Sequence, residues 1–298
     1  MGTQHSPLWH YEDMPELLSA ALTALLFGSW FVPTQTIKTD PRALAFWLTA
    51  GHLAISTVVY VTYGQAIPIG QTVVPFLMGA VWAIGILLGY KARDEIGIVR
   101  GVGTWVAVII ALSVFWGLVA FGESPNPFVL ALALLCVAGT VFCVLKSSVT
   151  DKMPGSARRG YLYAIVVGIA HGSFYVPLHG SDLPVQATFF PLALGMVMTT
   201  LLIAMLSRVR LRYPLTTTAR MTLAGIILAG GNYLAVGATV TAYGVALGYP
   251  LTQLAIVVSA LWGVLVFREV TTRRGRVLIA VSVMLAVTSA LLVSVANA

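Results

Sequence analysis

Continuous apolar runs of roughly 18–22 residues, separated by short polar connections, restrict this chain more than any other feature. A helix rises about 1.5 Å per residue, so each run is long enough to cross a hydrocarbon layer of ~30 Å. In that solvent every backbone N–H and C=O must find a partner inside the protein, which leaves helices or a closed barrel. Barrel strands would alternate apolar and polar side chains over about ten residues. These runs do not alternate, so they are helices. Ten are read, at 17–37, 43–63, 73–90, 99–120, 128–145, 161–178, 187–206, 221–240, 247–267 and 277–295. The composition agrees: 58% of the 298 residues are hydrophobic, 9% are charged, and the mean hydropathy is +0.92. Such a chain cannot cover the surface of a soluble domain. The expected fold is therefore all-α, a polytopic membrane protein with ten transmembrane helices and no separate soluble domain.

A net charge of +7 could signal nucleic-acid binding, but its placement points elsewhere. All 17 Lys and Arg residues fall in the odd-numbered connections. Examples are Lys38 and Arg42 after the first run, Lys91, Arg93 and Arg100 after the third, and Arg208, Arg210, Arg212 and Arg220 after the seventh. Cationic connections stay on the cytoplasmic side, so both termini are expected outside, with 1–16 as an extracytoplasmic N-terminal tail. No basic region precedes the first apolar run, which argues against a signal peptide. The expected location is a bacterial inner (plasma) membrane, as monomer or homodimer, with the lipid bilayer as partner and no nucleic acid. Cys136 and Cys143 stand about two turns apart on one helix, too far for a disulfide, and are read as packing. No metal or cofactor is expected.

The chain also repeats itself. Phe27-Gly28-Ser29-Trp30-Phe31-Val32-Pro33-Thr34 recurs as His171-Gly172-Ser173-Phe174-Tyr175-Val176-Pro177-Leu178, offset by 144 residues. Ser113-x-x-Trp116-Gly117-x3-Phe121-x-Glu123 recurs as Ser259-x-x-Trp262-Gly263-x3-Phe267-x-Glu269, offset by 146, and Ala83 and Gly85 match Ala229 and Gly231 at that same offset. A duplicated unit of five spans is implied, the first over 17–150 and the second over 151–298. Five is odd, so the copies enter the membrane from opposite sides as inverted repeats. Carriers that work by alternating access commonly have this architecture, with a substrate site near midplane between the repeats.

Charged residues are nearly absent within the spans, as expected from a cost of roughly 2.5–3.5 kcal/mol each at mid-bilayer. The polar and aromatic residues that remain are candidates for a site. Trp30, Trp82, Thr104, Trp105, Tyr175, Asn232, Tyr249 and Gln253 together suit a neutral polyhydroxylated solute, with aromatic faces for C–H surfaces and amides or hydroxyls for OH groups. His52 and His171 are ionisable groups placed within spans, and either is a candidate carrier of a coupling proton. Asp94 and Arg100, near a cytoplasmic span end, are candidates at a cavity mouth. Pro33 and Pro177 sit at matched points late in spans 1 and 6; each removes a backbone donor, so bends serving as gates are expected there. Glu123 is read as a helix cap for the helix that follows it at 128.

These residues resemble the glucose/ribose uptake family of the drug/metabolite transporter superfamily, related to ten-span carbohydrate-transporter-like proteins and more distantly to L-rhamnose–proton symporters. The similar stretches are Leu-Leu-Phe-Gly-Ser-Trp-Phe-Val-Pro at 25–33, Gly-Ala-Val-Trp-Ala-Ile-Gly at 79–85, Gly-Gly-Asn at 230–232, Gly-Tyr-Pro-Leu-Thr-Gln at 248–253 and Ala-Leu-Trp-Gly-Val-Leu-Val-Phe-Arg-Glu at 260–269. Ile86 stands where family members often carry Asn. The resemblance implies a ten-helix fold with a cavity framed by spans 1, 3, 4, 6, 8 and 9. It also implies proton-coupled sugar uptake.

Two other readings compete. Exporters of lipophilic cations place a carboxylate in span 1, and 17–37 has none. An intramembrane enzyme needs a nucleophile beside a base, or a metal cluster. His171 and Ser173 are two residues apart and face different directions on a helix, and no His/Asp metal spacing is present.

Overall fold

The computed structural model describes residues 16–63, 67–96, 98–147, 155–179, 183–267 and 272–297. Residues 1–15 of the expected tail, and Glu269, lie outside these. All regular secondary structure among the described residues is helical: α1 (Glu16–Ser29), a 3-10 turn (Val32–Thr34), α2 (Pro41–Tyr63), α3 (Ile69–Ile96), α4 (Ile98–Val119), α5 (Pro127–Ser147), α6 (Ala157–Ser173), α7 (Tyr175–His179), α8 (Val185–Leu206), α9 (Leu215–Leu234), a π segment (Ala235–Val240), α10 (Thr241–Thr252), α11 (Ala255–Leu265) and α12 (Arg273–Asn297). The chain is an all-helical polytopic membrane protein. Large apolar side chains such as Val61, Phe128 and Leu206 are exposed on its outside, where acyl chains would meet them.

Among the described residues, eight helices are long and apolar enough to cross a bilayer, with a shorter apolar stretch at Leu18–Thr34. The expected count of ten is thus not reached by length alone, for two physical reasons. The first run breaks where α1 ends at Ser29 and the chain tightens into the 3-10 turn containing Pro33. The runs at 221–240 and 247–267 follow one another with only a one-residue break in the helical backbone, at Gly244, and so make one 51-residue stretch, Leu215–Leu265. Within that stretch Gly244 has φ 75° and ψ 177°, which a side chain would make costly. The π segment and α10 pack on each other, so the chain doubles back there.

Small residues set the helix packing, as expected where lipid gives helices no hydrophobic reason to associate. An ideal Cβ on Gly225 of α9 would lie 1.8 Å from the Leu48 carbonyl oxygen of α2, and one on Gly51 would lie 2.1 Å from that of Thr222. The same arrangement joins α3 to α8, where a Cβ on Gly79 would lie 2.0 Å from the Leu192 oxygen and one on Gly195 2.0 Å from that of Phe76. Backbones at this range exchange Cα–H···O contacts. Buried hydroxyls add cross-links, including Thr49 with Thr200 at 2.8 Å.

Candidate substrate cavity

A cavity of about 180 Å³ lies between α1, α3, α4, α6, α9, α10 and α11, far above the ~10–15 Å³ that admits one water. These are the spans expected to frame it, with Val144 of α5 added to the wall. Seven of the candidate residues line it together: Trp30, Trp82, Trp105, His171, Asn232, Tyr249 and Gln253. Thr104, Tyr175, His52, Asp94, Arg100, Pro33 and Pro177 are not on its surface. Thr104 gives its hydroxyl hydrogen to the Arg100 carbonyl one turn earlier. Tyr175 stacks behind Tyr249 at 5.8 Å. Asp94 is exposed and pairs with Arg93. The Pro33 carbonyl accepts a hydrogen bond from Arg220 Nε at 2.8 Å, and Pro177 is exposed.

Each wall group is held by a neighbour. The His171 ring stacks on Trp82 at 5.1 Å and donates from Nε2 to the Trp82 carbonyl at 3.1 Å. This closeness depends on Gly85, since a Cβ there would stand 2.4 Å from His171 Nε2. The Tyr249 hydroxyl donates to the His171 carbonyl at 3.1 Å, tying α10 to α6. Trp105 lies over Gly89, and Trp30 meets Tyr90 edge-on at 6.4 Å. Asn232 donates from Nδ2 to His52 Nε2 at 3.0 Å. Gln253 donates to the Thr252 hydroxyl at 2.9 Å. The result is a wall of aromatic faces and amides on which Arg93 is the sole charged lining residue among those described.

Tyr90, Arg93 and Gln35 also line this wall and were not among the expected residues. The signal for two of them was present. Trp82, Ile86, Tyr90 and Arg93 follow three- and four-residue steps along α3 and form one stripe, so extending the face of Trp82 finds Tyr90 and Arg93. Gln35 lies inside the first run, 17–37, just after the 3-10 turn that contains Pro33.

Several contacts occur in matched pairs. Trp262 Nε1 donates to Ser29 Oγ at 2.8 Å, and Trp116 Nε1 donates to Ser173 Oγ at 3.0 Å. Gly28 packs against Ala255 and Val258, and Gly172 against Ile109 and Leu112. Gly85 faces His171, and Gly231 faces Phe27.

Glu123 caps a helix, though not the one that follows it. Its Oε1 accepts from the Val245 N–H and its Oε2 from the Ala246 N–H, both at 2.7 Å, just after the reversal at Gly244. Asn126 takes the expected role at α5, accepting from the N–H groups of Phe128 and Val129.

No group of His, Cys, Asp and Glu that could hold a metal ion occurs among the described residues. This helical membrane protein encloses a mostly apolar, aromatic-rich cavity with a few amides and hydroxyls on its wall, and it is a transporter and not an enzyme. It belongs to the sugar transport protein family, whose model matches residues 18–296. The glucose uptake protein GlcU of Bacillus subtilis (strain 168) is 24% identical over 288 residues, an alignment spanning 95% of this chain and 99% of that protein. A protein of known crystal structure, 17% identical, superposes with a TM-score of 0.72 over 93% of this chain and 97% of its own, and so shares the fold.

Proposed function

We propose that this chain takes up a sugar by alternating access, with protons entering alongside it. The observation that carries the substrate class is the cavity wall: Trp30, Trp82 and Trp105 offer faces, Asn232 and Gln253 offer amides, and no carboxylate lines it among the described residues. A sugar presents hydroxyls and C–H surfaces and needs these partners. A lipophilic cation would need a carboxylate on that wall, and the described lining offers none. The uptake named for the Bacillus relative agrees with this reading.

In this proposal the chain crosses the membrane ten times as two inverted repeats, 17–150 and 151–298. The Leu215–Leu265 stretch would be about 76 Å long as one straight helix, more than twice the hydrocarbon thickness, so it makes two crossings with the turn at Gly244. The short first helix completes a crossing through the turn at Pro33. The matched contacts support the symmetry: if copy one touches copy two through a given pair, an inverted two-fold axis requires the exchanged pair as well. Ser29–Trp262 with Ser173–Trp116 meets that requirement, as does Gly225–Leu48 with Gly79–Leu192.

The test is uptake of a panel of labelled sugars into proteoliposomes, with and without an inward-acid gradient. Saturable entry of at least one sugar, faster with the gradient, is expected; movement of a different solute class and of no sugar would sink the reading. Within that assay, Asn232→Ala and Gln253→Ala are each expected to raise KM about three- to tenfold, the worth of one neutral hydrogen bond, at unchanged expression. Wild-type kinetics in both would remove them from the site.

Orientation has its own test. Ser124 and Ser207 are both exposed, one in an even connection and one in an odd connection. Ser124→Cys should react with an impermeant thiol reagent in intact cells and Ser207→Cys only after lysis. The opposite pattern would reverse the topology.

A further inference from the structure

Asn232 lines the cavity and is 9% exposed; the ring behind it, His52, is fully buried, as is Ser56 behind that. The three form a file leading away from the cavity. Asn232 Nδ2 is 3.0 Å from His52 Nε2, and His52 Nδ1 is 3.2 Å from Ser56 Oγ. With Nδ2 given to the ring, the carboxamide oxygen of Asn232 has no protein partner among the described residues and is the group left for a solute in the cavity.

The other neighbours of His52 are apolar or aromatic. Phe189 of α8 stacks on it at 6.0 Å and Trp82 of α3 lies at 6.2 Å. His171 of α6 is the titratable group across Trp82, with its Nε2–H committed to the Trp82 carbonyl. No Asp, Glu, Lys or Arg makes a hydrogen bond, ion pair or ring contact with His52 among the described residues.

The hydrogen-bond logic of this file is restrictive. A neutral imidazole has one N–H and one lone pair. With the hydrogen on Nδ1 it donates to Ser56 and accepts from Asn232, so Asn232 turns its oxygen to the cavity. With the hydrogen on Nε2, Ser56 donates to Nδ1 and Asn232 turns over. A protonated imidazole has two N–H donors and no lone pair, so only the second orientation of Asn232 remains, with its NH2 group facing the cavity. One proton therefore removes the state in which the wall offers an acceptor.

We propose that His52 is the positioning residue for proton-linked recognition: it carries the coupled proton on Nε2 and, through Asn232, switches the cavity wall from acceptor to donor toward the sugar. This rests on the reading of proton-coupled uptake given above. The incoming proton forms an N–H bond with the Nε2 lone pair, and Asn232 turns half a revolution so that Oδ1 accepts it. A sugar hydroxyl then accepts from the freed NH2 group. After the cavity opens to the other side, the proton leaves Nε2 for water and the amide turns back. The ring has no counter-ion among the described residues, so it holds the charge only while the sugar and both acceptors are in place.

The test uses the full chain in proteoliposomes containing a pH-sensitive dye, supplied with a labelled sugar that the wild type carries. His52→Gln retains a carboxamide that can pair with Asn232 and cannot be protonated. It is expected to lose sugar-driven proton entry to the background of empty liposomes and to lose the pH dependence of KM, while gradient-free sugar exchange persists. Ser56→Ala takes one acceptor from the charged ring, so its KM-versus-pH profile should move to lower pH. If the wild type carries sugar without protons, the coupling reading and this proposal fall together. Where the wild type couples, the proposal alone is overturned if His52→Gln still moves protons with sugar. Should that variant not assemble, an unshifted profile in Ser56→Ala overturns it.

Discussion

Gly225→Val is expected to prevent stable assembly of the helix bundle. A Cβ at this position would sit 1.8 Å from the Leu48 carbonyl oxygen and 2.7 Å from its carbon, inside any van der Waals distance. The obstacle is backbone, so no rotamer change can relieve it, and α9 must withdraw from α2. Withdrawal also separates Gly51 from the Thr222 carbonyl and moves Asn232 on the same helix away from His52. Overpacking a well-packed core with side chains that can still shift typically costs about 1–3 kcal/mol. A backbone clash lies at or above the top of that range, so more than about 3 kcal/mol is expected. Loss of the monodisperse peak in detergent gel filtration, together with a lowered melting temperature, would record it. Gly70→Ala is the control: nothing lies within 4 Å of its Cβ, and alanine there should be neutral or stabilise by up to about 1 kcal/mol. If Gly225→Val melts with the wild type, α2 and α9 do not touch through their backbones.

The second large effect belongs to Glu123. Its two carboxylate oxygens each take one N–H at the restart of α10, so Glu123→Ala leaves two donors unpaired in the protein interior. Charge-assisted bonds of this kind contribute about 1.5–3 kcal/mol each, and a carboxylate at a helix N-terminus also meets the positive end of the dipole. A net loss of roughly 3–5 kcal/mol is expected, below the simple sum because the freed N–H groups find water as the helix end relaxes. Glu123→Gln keeps one acceptor but turns an NH2 group toward the second N–H, so it should recover only part of the loss. Glu123→Asp is one methylene shorter and should fail to reach. Transport should fall with stability, because α10 also carries Tyr249, whose hydroxyl fixes His171 on the cavity wall. Thermal unfolding and uptake measured on the three variants check the order; a wild-type melting point for Glu123→Ala would show that the cap contributes nothing.

Much of the cavity was legible because its residues share one rarity. In spans of Leu, Val, Ala and Gly, a tryptophan, an asparagine or a glutamine stands out, and Trp82, Trp105, Asn232 and Gln253 do meet at one wall. Rarity alone could not sort them by depth. His52 was singled out for the same reason as His171, yet it lies one residue behind the wall, and Tyr175 lies behind Tyr249. Which member of such a pair reaches the cavity depends on the rotation of each helix about its axis. That rotation is set by contacts such as Gly85 on His171, which join residues far apart in the chain. Arg93 was missed from the wall because charge was read as a marker of the membrane surface, and a long side chain at a helix end can serve both places.

Glu123 shows the same division within one residue. A carboxylate after a helix, ahead of another, was correctly read as a cap. Sequence neighbours pointed to the helix beginning near 128, whereas its partners are Val245 and Ala246. The chemistry of the group is local, but the donor it meets is chosen by how α4 packs on α10.

From the amino acids alone came the helical membrane class and the asymmetric placement of Lys and Arg. Hydropathy and backbone hydrogen bonding act over one segment at a time and need no knowledge of neighbours. Only the tertiary structure decided where the chain reverses between Leu215 and Leu265, which side chains share the cavity, and that His52 stands behind Asn232. Those outcomes depend on how closely backbones approach across tens to hundreds of residues, a distance set by glycines on both partners at once.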